Sequence, residues 1–117
     1  MARRKTKIKL ILIFVFLLLA TTAYSLTYQI KTQLVSVTTI ATKLPTTPLV
    51  GREYILITNI DTTKTIYIGS STVTVSGATT GTPLLPSESY YGEWKSNINI
   101  YGIISSGSCN AIIEEGK

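Results

Sequence analysis

A chain of 117 residues has room for one small domain, and its 44% hydrophobic and 15% charged composition excludes a solvated, disordered polymer. The single cysteine excludes an intramolecular disulfide framework, and the lack of any histidine removes Ser-His and Cys-His catalytic pairs and the commonest metal ligand. The net charge of +5 is unevenly placed: Arg3, Arg4, Lys5, Lys7 and Lys9 lead the chain, and beyond them six bases stand against six acids. A neutral remainder has no phosphate-tracking stripe, so its folded part is not expected to bind nucleic acid.

In chain order, the basic flank (residues 1–9) is followed by an uninterrupted apolar run, Leu10, Ile11, Leu12, Ile13, Phe14, Val15, Phe16, Leu17, Leu18, Leu19 and Ala20, which weakly polar residues extend to Leu26. Two readings compete. A basic region, a short apolar stretch and Ala23-Tyr24-Ser25 describe a cleavable secretory signal. Alternatively, residues 10–26 form a retained transmembrane helix of about 25 Å, the lower limit for spanning a bilayer. The retained anchor is the leading expectation. Either way the cations stay inside and the remainder faces outward from a membrane.

Residues 27–48 read as a stalk or connector. Ile30, Leu34, Val37, Ala41 and Leu44 are spaced by 4, 3, 4 and 3, the seam of a helix that could continue the anchor and make oligomer contacts. The same stretch is β-branched and can be read with period 2, as strand. Helix is the favoured expectation, because an apolar helix upstream would supply its nucleus. Pro45 and Pro48 would end it and mark the domain boundary.

From residue 49 to 117 short alternating runs are separated by turn residues. Strands are expected at Tyr54–Asn59, Thr65–Ile68, Thr72–Val75, Ser89–Trp94, Asn99–Ile104 and Cys109–Glu114, with a Gly/Thr/Pro loop from Ser76 to Pro83. The fold class is therefore mainly β: a small antiparallel β-sandwich or jelly-roll-like head behind an N-terminal transmembrane or stalk helix. Expected core positions are Ile55, Ile57, Ile66, Ile68, Val73, Val75, Ile100, Ile103, Ala111 and Ile113, closed by Leu84 or Leu85.

Few residues offer chemistry. Glu88 and Glu93 could be posed as a carboxylate pair but read as solvated strand-end charges. Asp61 reads as a turn cap, since no calcium-binding run surrounds it. Cys109 reads as a small buried strand residue. Tyr90, Tyr91, Trp94 and Tyr101 form the candidate surface contact, open to core packing, a subunit interface or glycan stacking. No catalytic residue, metal, cofactor or small-molecule substrate is expected.

One set of residues carries a resemblance. The succession Arg52, Ile55-Leu56-Ile57-Thr58-Asn59, Ile66-Tyr67-Ile68-Gly69, Val73-Thr74, Gly81, Leu85-Pro86-Ser87-Glu88-Ser89 and Ile100-Tyr101-Gly102-Ile103 before Ser106-Gly107 resembles small β-sandwich modules in virion proteins of tailed phages and other viruses. It covers about 60 residues of the head, and Ser87 stands where those modules usually carry Gly. The resemblance implies a structural or attachment role at a particle surface. The leading expectation is a membrane-anchored virion structural protein whose partners are a lipid membrane and other virion proteins or itself, as a homo-oligomer. The alternatives are a pilin-like filament subunit assembling through its apolar N-terminus and a secreted glycan-binding module.

Overall fold

The structure, a computed structural model, describes residues 28–117. The expected basic flank and membrane helix lie outside the described residues. Eight strands follow in chain order: β1 Ile30–Val37, β2 Thr42–Leu44, β3 Tyr54–Asn59, β4 Ile66–Gly69, β5 Thr82–Leu84, β6 Ser89–Gly92, β7 Ile100–Ile103 and β8 Cys109–Gly116. They form two four-stranded antiparallel sheets, β1-β8-β3-β6 and β2-β7-β4-β5. The expected mainly β, two-layered head is what is found.

The strands form where β-branched residues alternate with residues that tolerate water. β3 alternates half-buried and buried positions along YILITN, and β8 does the same from Cys109 to Glu115. Inward side chains of both sheets meet in one core of Val35, Val37, Leu44, Ile55, Ile57, Ile66, Ile68, Leu84, Ile100, Ile104, Cys109, Ala111 and Ile113. Each fully buried Ile contributes about 1.5–3 kcal/mol of transfer free energy.

Pairing is nested. β1 pairs with β8, β2 with β7, β3 with β6 and β4 with β5, as in one long hairpin rolled up so that β3 also meets β8 and β4 meets β7. Both described chain ends and the β2–β3, β4–β5 and β6–β7 loops gather at one end of the sandwich, the base. The β1–β2, β3–β4, β5–β6 and β7–β8 loops form the opposite end, the tip.

Several expectations are corrected. The helical stalk is not formed: Ile30–Val37 and Thr42–Leu44 are edge strands of the two sheets, so the head includes residues 30–44. Period 2 prevailed because β8 and β7 offer each strand a backbone ladder and a core for every second side chain. Thr72–Val75 is not a strand; Thr74 makes one isolated bridge to Thr80, although Val73 is buried. Its place is taken by Thr82–Leu84, where Pro83 sits on an edge strand and its missing N–H costs no ladder bond. Ile104, not Ile103, enters the core, because the chain turns inward after β7 and the Ile104 N–H donates to Thr38 O at 3.0 Å. Val75 is only half-buried.

Candidate functional site

The base is organised by a buried ion pair. Arg52, two residues ahead of β3, and Glu115, an inward position of β8, are 0% and 1% exposed, with Nη1 donating to Oε2 at 2.9 Å. The remaining guanidinium donors reach Trp94 O at 2.7 Å, Lys95 O at 2.9 Å and Ile98 O at 2.8 Å. Both Glu115 oxygens accept from the Leu49 N–H at 3.1 Å. Burying two charges costs several kcal/mol unless every donor is engaged, and here the β2–β3 and β6–β7 loops supply those partners. The pair is a loop clamp buried away from solvent. In the sequence Arg52 entered only through the resemblance given above, with no role as a buried charge; the available signal was Glu115, which falls on the inward parity of Cys109, Ala111 and Ile113.

The tip is organised by an amide. Asn59, fully buried at the end of β3, donates through Nδ2 to Lys64 O at 2.8 Å and Leu84 O at 2.9 Å, and its Oδ1 accepts from the Asp61 N–H at 3.0 Å. Asp61 caps the turn as expected, its Oδ1 accepting from the backbone N–H groups of Thr63 and Lys64, both at 2.8 Å. Those two bonds hold the Asp61 carboxyl below the usual aspartate range. Ser87 takes φ 65°, the left-handed conformation for which Gly is the usual residue, and its N–H donates to Asn59 O at 2.9 Å.

The four candidate aromatics do not form one cluster. Tyr90 is half-buried against the core and its hydroxyl accepts from Trp94 Nε1 at 2.9 Å. Together they border a groove of about 280 Å³ with Ile68, Thr82, Ile98 and Asn99. Tyr91 faces outward from β6 and stacks on Tyr54, ring centroids 5.9 Å apart. Tyr54's phenol is pushed up by burial and then by the nearby Glu114 charge. Tyr101 is half-buried on the outer face of the other sheet, opposite Lys43 and Gly69.

The expected stalk seam is also divided. Val37 and Leu44 are core residues, Ala41 is half-buried between β1 and β2, and Ile30 and Leu34 are 70% and 60% exposed on the outside of β1. A single helical stripe is therefore not present. Instead, Ile30 and Leu34 share an outer sheet face with Ile112 on β8, Leu56 and Tyr54 on β3 and Tyr91 on β6, as the registers Leu34↔Ile112, Leu56↔Glu114 and Leu56↔Tyr91 require. The Tyr54 ring covers Gly116, where any Cβ would collide with it. An outward sheet face is ordinarily polar; this one is mixed, its aliphatic and aromatic side chains lying beside Thr32, Ser36, Thr58, Ser89, Asn110 and Glu114.

Glu88 accepts from the Leu85 N–H at 2.9 Å, which makes it a turn partner, and Glu93 is exposed at the base. Cys109 is buried, and that burial raises its thiol pKa. Among the described residues no group of three His, Cys, Asp or Glu side chains is placed to hold a metal ion, and no helix is long and apolar enough to cross a membrane. Compared with models of protein families, with curated proteins and with solved structures, the chain matches none.

Proposed function

We propose that this chain is a membrane-anchored structural protein of a virus particle, its apolar N-terminal segment in a lipid layer and its β head outward, assembling with capsid or spike proteins or with further copies of itself. The observation that carries the reading is the outer face of the β1-β8-β3-β6 sheet, where Ile30, Leu34, Leu56, Ile112 and the stacked Tyr54 and Tyr91 meet solvent. Aromatic and aliphatic side chains on an otherwise charge-balanced surface have the composition of a protein interface core. The nested strand pairing supports reading the head as a jelly roll, an architecture of viral capsid and lectin domains. The proposal includes no enzymatic activity, cofactor, small-molecule substrate or nucleic-acid partner.

Two measurements test it. Alkaline carbonate should leave the chain with the lipid of purified particles and detergent should release it; recovery in the carbonate wash removes the anchor. Leu34→Glu, on an exposed side chain, should leave the fold intact and reduce incorporation into particles; unchanged incorporation removes the sheet face from the account. A glycan-binding module is the second reading, favoured by the Tyr90–Trp94 groove, which also presents Asn99, Ser70 and Thr82. A glycan array on which the protein binds nothing retires it.

A further inference from the structure

At the base of the sandwich the apolar outer face continues, through Ile30, onto the end of the molecule. Tyr28, Ile30 and Val50 are 79%, 70% and 81% exposed, and Lys117 ties them together. Its backbone exchanges hydrogen bonds with Gln29 at 3.0 and 3.2 Å, and its Nζ donates to Val50 O at 3.1 Å. The surrounding charges nearly cancel: Glu53, Glu93 and Lys95 line one hollow at this end, which Lys31 and Lys117 share. Lys31 is engaged, its Nζ donating to Thr47 O at 2.6 Å.

Chain length fixes what this surface faces. Only three residues separate Leu26, the end of the expected membrane segment, from Ile30 in β1, and those four peptide steps reach at most about 14 Å. A headgroup layer is roughly 5–7 Å thick on each side of the hydrocarbon. Even fully extended, that tether leaves Ile30 no more than about 7–9 Å beyond the headgroups, so the base stays within side-chain reach of them.

We propose that the base rests in the headgroup layer, with Tyr28, Ile30 and Val50 as the inserted contacts, so that the strands stand upright and the tip loops project outward. The inference rests on the anchor proposed above. Tyr suits such a depth, having an apolar ring and a polar tip, and Lys117 beside it suits a phosphate-bearing layer. The nearly balanced charge makes the contact one with the headgroup layer in general, so anionic lipid is not required.

The test uses the full chain in phosphatidylcholine vesicles, with Cys109→Ala and one environment-sensitive fluorophore, either at Val50→Cys in the base or at Ile40→Cys in the tip. The Val50 probe should show blue-shifted emission and be quenched by lipids carrying a headgroup-depth spin label, unchanged by salt, while the Ile40 probe stays water-like. Equal quenching of both probes, or of neither, in protein that withstands carbonate overturns the upright docking while leaving the anchor in place. Release of the protein by carbonate overturns the anchor, and the docking with it.

Discussion

The two ends of the sandwich solve the same problem with different chemistry. At the base, long loops are gathered by a buried charge pair, Arg52 and Glu115, that donates to or accepts from four backbone groups. At the tip, short loops are gathered by one neutral amide, Asn59, and an aspartate cap. An amide is cheap to desolvate and reaches only its neighbours; a guanidinium is costly to desolvate but spans three carbonyls and a carboxylate. Two of the longer loops, 45–53 and 93–99, received the group with more donors.

Substitutions can break this contrast, and the largest effect belongs at the base. Arg52→Met should strand the Glu115 carboxylate and lower unfolding free energy by about 3–5 kcal/mol in urea titrations. Adding Glu115→Leu should restore much of that loss; a double variant as unstable as the single one would show that loop anchoring, not charge burial, dominates. At the tip, Asn59→Ala should cost about 2–3 kcal/mol, because the Lys64 and Leu84 carbonyls lose their donors. An Asn59 cost equal to that of Arg52 would erase the distinction between the ends.

Smaller effects sharpen it. Asp61 has a lowered folded pKa, so its contribution is complete above the ordinary aspartate range and is lost as pH falls through the lowered value. Thermal melts below about pH 4 should therefore fall for the parent protein and flatten in that window for Asp61→Asn. The smallest change is expected at Ser87, whose φ of 65° strains any side chain. Ser87→Gly should relieve that strain against a more flexible unfolded chain, a net gain on the order of 0.5 kcal/mol readable as a slight rise in Tm.

How much of this was legible in the sequence follows from the kind of residue involved. Strands β3, β4, β7 and β8 were visible because YILITN, IYIG, IYGI and CNAIIEE alternate between turns. β1 was obscured because Ile30, Leu34, Val37, Ala41 and Leu44 satisfy a heptad as well as a strand, and only pairing with β8, some 80 residues later, decides between them. β5 was hidden by Pro83, which argues against a strand unless its place at the edge is known. The base clamp was unreadable from composition, since Arg52 and Glu115 look like surface charges until the topology turns both inward. The outer aromatic face was half legible: Tyr91 was singled out, but its partners Tyr54 and Leu56 on β3 and Ile112 on β8 meet it only in register.

The nested pairing also governs how the chain reaches this shape. Among the described residues β1 finds its only ladder partner in β8, so during synthesis this strand emerges and must wait, its edge unpaired, until nearly the whole head has followed. Such remote closure belongs to the slow folding regime of milliseconds to seconds, and a strand left open so long is exposed to pairing with neighbouring nascent chains.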